Sequence, residues 1–565
     1  MSVCGLGWRT PATAAGILYR TVALKGDAAP GTAAGVVFET FDSANLNAAG
    51  SVVFTATLSG PGVDATNLLA LWSEGGGALG LVARQGSQAP GTEAGVVFDF
   101  IDHPIIDDSG GAACLASLTG PGVDFTNNLG LWSSGVGGLT LVARTGSQAP
   151  GTPAGTAFSF FDNSVVLLTA AGQTGFRGIL PGVGVNPTND RGIWSQASGT
   201  LDLVIRSGDP APGTPAGTFF LFLLDSPVFN DLGQAAFSAS LTGAGVTPAD
   251  NSGIWSQGGG ALALVARAGD PAPGTEMGVS FDGLLNVPLA INNAGQTVFR
   301  GKLVGPGIDA SNDTGIWLQD AGSLTLVSRG GDPAMPGVAF VGFGPPVLNG
   351  AGRTAFTATL TGAGVDSTND AGVWSKEVGI LNLVARKGDP APGTAAGVNF
   401  SSFTDPALNG AGHVALLAGL TGFRVDATND VGLWAQDPTG ALRLVAREGD
   451  PLEVAPGDLR TVSALSLLGG SGGQDGRPRG LNDAHQVAFV ASFTDGACGS
   501  FVATLCLAAD VNADGMVDTG DIERFVAVLL DPASSTLPER CAADMNADAT
   551  LDGGDVALFL GALLP

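Results

Sequence analysis

Asn230-Asp231-Leu232-Gly233…Phe237, Gly253-Ile254-Trp255 and Val265-Ala266-Arg267-Ala268-Gly269-Asp270 punctuate one stretch of the chain, and each recurs along it. The tryptophan returns as Trp72, Trp132, Trp194, Trp255, Trp317, Trp374 and Trp434, at intervals of 57–62 residues. The turn before a strand returns as Asn47…Gly50…Phe54, Asn292…Gly295…Phe299 and Asn349…Gly352…Phe356. Degenerate copies stand at Asp107…Gly110…Cys114, Thr169…Gly172…Phe176, Asn409…Gly412…Leu416 and Asn482…His485…Phe489. An apolar run ends in Arg84, Arg144, Arg206, Arg267, Arg329, Arg386 and Arg447 and leads into a turn such as Gly208-Asp209-Pro210-Ala211-Pro212-Gly213-Thr214. A period of this length makes each repeat a unit that buries its apolar face against a neighbour.

Each unit reads as four short strands, in the fourth copy 218–224, 234–240, 253–256 and 261–267. They are rich in Phe, Val, Leu and Trp and are parted by Gly, Pro, Asn and Asp clusters. Four strands per unit predict an all-β fold, a β-propeller of radial four-stranded blades. Residues 17–31 match only the last strand and turn of a unit, since Val22-Ala23-Leu24-Lys25-Gly26-Asp27 aligns with Val265–Asp270. Residues 461–507 supply the earlier strands of an eighth unit, with Gly499-Ser500-Phe501 in the place of Gly253-Ile254-Trp255. The two fragments complement one another, as they do when both termini complete one blade and remove exposed sheet edges. Eight blades are expected. The alternatives are seven blades with a capping fragment and an open β-solenoid. The expected division is an N-terminal segment, 1–16, the propeller, 17–505, and a small C-terminal module, 506–565.

Composition agrees. Of 565 residues 89 are Gly and only 13% are charged, which suits a turn-rich β protein. A formal net charge of −27 argues against nucleic acid or an anionic membrane as partner and favours cations. No apolar stretch reaches the ~18 residues of a membrane span. Residues 1–16 lack a charged region followed by an apolar run and a cleavage site. Either the true start lies upstream or export takes another route.

The C-terminus changes character. Asp510-Val511-Asn512-Ala513-Asp514-Gly515-Met516-Val517-Asp518-Thr519-Gly520-Asp521 places oxygen side chains at loop positions 1, 3, 5, 9 and 12, with Gly515 at the sharp turn, as in an EF-hand-type calcium loop. Asp544-Met545-Asn546-Ala547-Asp548-Ala549-Thr550-Leu551-Asp552-Gly553-Gly554-Asp555 repeats the pattern 34 residues later. Ca²⁺ takes six to eight oxygens, so alternate Asp and Asn side chains with one backbone carbonyl, here of Met516 and Thr550, form a fitting donor set. Ala549 replaces the turn glycine and weakens the second site, because that position favours φ > 0. Apolar helices are expected over 522–530 and 556–564. Cys506 and Cys541 precede the two loops at near-equivalent places, and a disulfide between them would staple a small module. Cys498 is a competitor for Cys506; Cys114, in the place of a repeat phenylalanine, reads as a buried thiol.

This tandem arrangement resembles dockerin over residues 507–565, and the paired cysteines resemble a cysteine-bearing variant of it. The resemblance implies two calcium sites and a cohesin-like protein partner. Thr519-Gly520 and Gly553-Gly554 lack the paired hydroxyl residues with which many dockerins meet cohesin. Residues 20–505 resemble the bacterial tandem-repeat proteins marked by Asn-x-x-Gly-x-x-Ala-Phe, carried here by Asn230…Gly233…Ala236-Phe237, Asn349…Gly352…Ala355-Phe356 and Asn482…Ala488-Phe489. That resemblance implies a secreted or cell-surface protein and supplies no catalytic residue.

Other features carry less. Thr188-Asn189-Asp190-Arg191-Gly192-Ile193-Trp194 is similar to the Asp-box of sialidase propellers but one residue short. The chain's one tyrosine, Tyr19, lies outside the intact repeats, so sialidase chemistry is not expected. The seven arginines could ring a channel, but pairing with turn aspartates such as Asp190, Asp313, Asp370 and Asp430 is the simpler reading. His103, His413 and His485 have no metal-ligand spacing, and His413 and His485 read as far apart in the repeat order. The tryptophans read as packing between blades. Loops such as Leu118–Asp124 gather on one rim and are the place for a carbohydrate or protein ligand. The expected function is an extracellular, non-catalytic scaffold or recognition propeller tethered by the calcium module. The alternative is an exported carbohydrate-active enzyme with its catalytic residues in unrecognised loops.

Overall fold

A computed structural model describes residues 16–42, 44–135, 138–161, 167–169, 172–182, 184–223, 227–377, 379–470, 479–512, 517–546 and 550–563. Its strands form eight antiparallel sheets among the described residues, each one blade of a closed eight-bladed β-propeller. Blades 1–7 span 37–84, 97–144, 160–206, 218–267, 280–329, 333–386 and 398–447; blade 8 combines 451–505 with 17–24.

The tryptophans account for the shape of a blade. All seven are buried, on the third strand of each of blades 1–7. Each meets edge-on a phenylalanine of the first strand or, for Phe158, just before it, as Trp72 meets Phe38 and Trp255 meets Phe220, with centroids 4.7–5.0 Å apart throughout. Trp72, Trp194, Trp255 and Trp317 also stack on the second-strand phenylalanines Phe54, Phe176, Phe237 and Phe299. Burial of one such ring is worth about 5 kcal/mol of transfer free energy. Its N–H is also used. Trp72, Trp132, Trp194, Trp255, Trp317 and Trp434 donate to the carbonyls of Pro30, Pro90, Pro150, Pro212, Pro273 and Pro392 at 3.0–3.1 Å, pinning the turn that enters the blade.

Two details differ from the sequence reading. In the fourth unit the strands are Thr218–Phe222, Ala235–Gly243, Ser252–Ser256 and Ala263–Arg267, with an additional short strand Val228–Phe229. The inner strand is thus broken in two, and a register shift between Phe220 and Phe222 bends it before the Asn230 turn. The seven arginines do not line a channel, and of them Arg267 takes a turn aspartate, Asp250, as expected. They end the outermost strands, and Nε of Arg84, Arg144, Arg206, Arg267, Arg386 and Arg447 donates to a backbone carbonyl of the same blade's rim loop at 2.7–3.0 Å. Where they form ion pairs the partners are Glu93, Asp250 and Glu276.

Closure uses both termini. Ile17–Leu24 pairs antiparallel with Cys498–Leu505, running from Ile17 opposite Leu505 to Leu24 opposite Gly499. Tyr19, half-buried in this strand, donates to the carbonyl of Val445 in blade 7, and Arg20 pairs with Glu74 in blade 1 at 2.6 Å. The strand therefore holds both neighbours of its own blade.

Near the axis the repeat asparagines link the blades. Asn47 Nδ2 donates to Asp107 O at 3.1 Å, Asn230 to Asn292 O at 3.0 Å, Asn292 to Asn349 O at 2.8 Å and Asn349 to Asn409 O at 2.9 Å. Asn409 continues to Asn482 O at 3.3 Å, and Asn482 returns to Asn47 O at 3.1 Å, across the closing seam. Asp107 and Thr169 have no side-chain amide to donate; at their seams the hydroxyls of Ser133 and Ser195 reach Gly172 O and Gly233 O instead. Asn482→Ala removes the amide that reaches Asn47 O and Ala48 O across the closing seam and the oxygen that accepts from Ala484 and Gln486 N–H, so it is expected to destabilise the ring by about 2 kcal/mol. Chemical denaturation of the wild type and the variant measures it; an unchanged midpoint refutes a structural role for the ladder.

Candidate metal centre

The chain leaves blade 8 at Leu505 and enters three helices, α1 (Asp521–Leu530), α2 (Leu537–Ala543) and α3 (Gly553–Leu563). The outer two fall near the expected spans; α2 is additional. A capping box starts it, with the Thr536 hydroxyl accepting from Glu539 N–H and the Glu539 carboxylate accepting from Thr536 N–H. The Arg524 fork also grips that carboxylate, at 2.6 and 2.7 Å, and holds its pKa down at about 2.

The structure joins Cys506 to Cys541 by a disulfide, tying the end of blade 8 to α2. Cys498, the competitor, is a free thiol, and Cys114 is free and buried. Leu18, from the closing strand, packs onto the module's core beside Cys506, Val511, Phe525 and Cys541. The two halves of that core mirror one another, and the equivalent rings Phe525 and Phe559 stack with centroids 3.7 Å apart.

Both loops close on a buried aspartate at position 12. Asp521 Oδ1 accepts from Asn512 N–H and Oδ2 from Asp518 N–H, each at 3.0 Å. Asp555 Oδ1 accepts from Met545 N–H at 2.8 Å and Asn546 N–H at 3.3 Å, and Oδ2 from Asp552 N–H at 3.0 Å. Position 11 is glycine in both. A Cβ on Gly520 would lie 3.0 Å from Asp518 Oδ1 and 3.2 Å from Asn512 Nδ2; at Gly554 the distances to Asp552 Oδ1 and Asn546 Nδ2 are 3.0 and 3.1 Å. The side chains of positions 3 and 9 thus lie over the same glycine in each loop. Asp510, at position 1 of the first loop, is buried, and Asp544 and Thr550 lie among the described residues of the second. The remaining expected ligands Asp514, Met516 and Asp548, together with Ala549, lie outside the described residues. Among the described residues no group of three or more His, Cys, Asp or Glu side chains is gathered as a metal centre.

A second cluster corrects the reading of the histidines. His413 and His485 belong to consecutive blades, 7 and 8, and their rings touch, with Nδ1 of His413 2.7 Å from Nε2 of His485. Elsewhere the place of His485 is held by glycines with φ of +72° to +85°, such as Gly50, Gly233, Gly295, Gly352 and Gly412. His485 keeps that left-handed backbone at φ +54°, which a side chain disfavours. Asp437 nearby is engaged by Thr439, Ala441 and Arg443.

Burial, reinforced by His413, lowers the His485 pKa from 6.5 to about 4. The unfolded chain therefore takes up a proton below pH 6.5 that the folded chain refuses until about pH 4, and stability present at neutral pH is lost as the pH falls through that window. His485→Gly removes the titrating group and suits the backbone. Its Tm is expected to fall less than that of the wild type between pH 6.5 and 4; parallel profiles refute the assignment.

No curated protein sequence matches the chain. Among solved structures it is similar to the β-propeller domain of the Trilobed protease from Pyrococcus furiosus, at 9% identity and a TM-score of 0.35, over 73% of this chain and 100% of that one. An oligogalacturonate lyase in complex with manganese matches at 13% identity and a TM-score of 0.31, over 74% and 98% of the two chains. The acylaminoacyl peptidase of Pyrococcus horikoshii matches at 11% identity and a TM-score of 0.33, over 81% and 58%. Nothing of their chemistry transfers to this chain. The repeat region settles the family: residues 13–334 and 290–507 match its profile, and the chain belongs to a family of unknown function, DUF7453.

Proposed function

We propose that the protein is an extracellular, non-catalytic recognition propeller tethered to a partner protein by a dockerin-like, calcium-binding module. The supporting observation is the duplicated loop, in which Asp521 and Asp555 are buried and draw the same backbone N–H groups inward. The two loops agree at positions 1, 3, 5, 9, 11 and 12, and an oxygen donor set at that spacing suits a hard cation. Calcium would be held by Asp510, Asn512, Asp514, the Met516 carbonyl, Asp518 and Asp521. The second ion would be held by Asp544, Asn546, Asp548, the Thr550 carbonyl, Asp552 and Asp555. The bound ions would neutralise carboxylates that otherwise repel one another.

The partner surface follows from what the helices leave exposed. Ile522, Val526 and Leu530 form an apolar stripe one turn apart on α1, and Val556 and Leu560 repeat it on α3. A cohesin-like protein is the proposed occupant. The rim loops of the propeller, among them Leu118–Asp124, remain the proposed place for a carbohydrate or protein ligand. No helix among the described residues is long and apolar enough to cross a membrane. Placement outside the cell is proposed on the disulfide, which persists in oxidising compartments.

Calorimetric titration of the full chain with calcium is expected to show two sites. Asp510→Ala should remove the first, and Ala549→Gly should tighten the second by restoring a residue tolerant of φ > 0. Chelator should lower the Tm of the wild type, because a ligand bound only to the folded state stabilises it. No heat of binding at millimolar calcium, with a Tm indifferent to chelator, refutes the tether.

A further inference from the structure

The blades depart from one another most informatively in the seams between them. On the second strand of blade 3, Arg177 follows the core residue Phe176 and reaches across to blade 4, where its Nη1 donates to Leu223 O at 2.7 Å. Beside it Arg191 places its guanidinium carbon 5.3 Å from the centroid of Phe222, also in blade 4. The seam between blades 5 and 6 repeats the first of these contacts: Arg300 follows core Phe299 and donates to Phe343 O at 2.8 Å. Leu223 and Phe343 occupy the same repeat position, three residues after Phe220 and Phe340. A guanidinium thus sits at one repeat-defined place in two different seams.

Between blades 1 and 2 the receiving groups persist and the arginines do not. Thr55 follows core Phe54 where Arg177 and Arg300 stand elsewhere, and Leu69 replaces Arg191, each three residues before the blade tryptophan. Across the seam, Ile101 is the equivalent of Leu223, and Phe100 the equivalent of Phe222. The shorter side chains leave a cleft of about 310 Å³ lined by all four residues and by two carboxylates, Asp42 and Asp102. That volume lies at the lower end of ligand pockets. Phe100 is 53% exposed, an aromatic wall without the cation that covers its counterpart in blade 4. Asp102 Oδ2 lies 3.3 Å from His103 Nδ1, and its Oδ1 accepts from His103 N–H at 2.7 Å. Two other seams are filled from within: Leu284, buried, occupies the one between blades 4 and 5 with its N–H on Ser252 Oγ, and Leu417, Leu465 and Leu467 pack that between blades 7 and 8.

We propose that the cleft between blades 1 and 2 is a binding site for a small ligand bearing a guanidinium group. The ligand supplies from solution what Arg177 and Arg191 supply covalently two blades away. Its planar cation stacks on Phe100, a contact worth about 1 kcal/mol when partly exposed. Its N–H groups face the Asp42 and Asp102 carboxylates, whose attraction is strengthened by the low-dielectric walls. A net charge of −27 raises the local concentration of any cation at the mouth. The site stands independently of the calcium module.

The test is calorimetric titration of the full chain with arginine methyl ester, with citrulline methyl ester as the neutral isostere. Saturable binding of the arginine ester is expected, with the citrulline ester about tenfold weaker or worse. Thr55→Arg installs in blade 1 the residue that blades 3 and 5 already carry, so it should fold and should abolish binding by occupying the cleft. Asp42→Asn and Asp102→Asn, both at the partly exposed mouth, should each weaken binding about tenfold. The proposal is overturned if the wild type shows no saturable binding, if the citrulline ester binds equally well, or if Thr55→Arg or the double Asn variant binds like the wild type.

Discussion

The side-chain amide of an asparagine, reaching from the turn of one blade to the main-chain carbonyl of the next, is the contact on which this ring depends. Its own oxygen folds the local turn, as Asn47 Oδ1 does by accepting from Ala49 and Ser51 N–H. Its nitrogen then spends the remaining hydrogen-bonding capacity on the neighbour. One residue type therefore sets both the bend within a blade and the spacing between blades. Aspartate can do only the first, since a carboxylate offers no N–H. That is why the seams after Asp107 and Thr169 borrow serine hydroxyls, and why Asn482 matters at the seam where the chain ends meet.

Closure and the C-terminal module are built into one another. The strand Ile17–Leu24 completes blade 8, and from it Leu18 enters the module's core. Gly16 O accepts Cys506 N–H, and the Thr504 carbonyl lies against Cys541 Sγ, so the disulfide sits on the strand pair that closes the ring. Arg479 adds a bond from blade 8 to Leu46 O of blade 1 at 2.8 Å and an ion pair with Asp108 of blade 2. The closing strand pair is thereby held by main-chain bonds, a half-buried tyrosine, a buried arginine and a covalent bond. Loss of any one contact leaves the others in place, so the closing edge of the sheet stays covered.

Much of this was legible in the chain because the repeat is long and its apolar marks are large. Trp72 to Trp434 give the period, and the complementary fragments at 17–31 and 461–507 give the eighth blade. Features carried by backbone groups were not legible. The arginines at the outer strand ends bind carbonyls, which leave no mark on the residue sequence, so side-chain carboxylates were sought for them. The broken inner strand follows from a bulge, and a bulge changes register without changing composition. Counting residues misplaced His413 and His485: the turns at Asn409 and Asn482 are consecutive in space but 73 residues apart. Helix α2 did leave a mark, the Thr536…Glu539 capping box, on a segment too short to show apolar periodicity. In the two C-terminal loops the spacing of the oxygen side chains was plain, whereas the burial of Asp521 and Asp555 emerges only in the folded structure.

In a ring of near-identical units, a residue repeated in every blade is constrained by packing, and specific chemistry must come from positions where the repeat lapses. The tryptophans, arginines and turn asparagines meet the first description, and each is consumed by a structural contact. Thr55, Leu69 and the His413–His485 pair meet the second. A substitution that shortens a side chain at an otherwise filled seam creates volume, and the neighbouring blade still presents the groups that had evolved to meet the longer chain. Such a seam is complementary to what it lacks. The chemistry of a ligand site in a propeller of this kind is therefore written in the filled seams, where the same contacts are already made by the protein's own side chains.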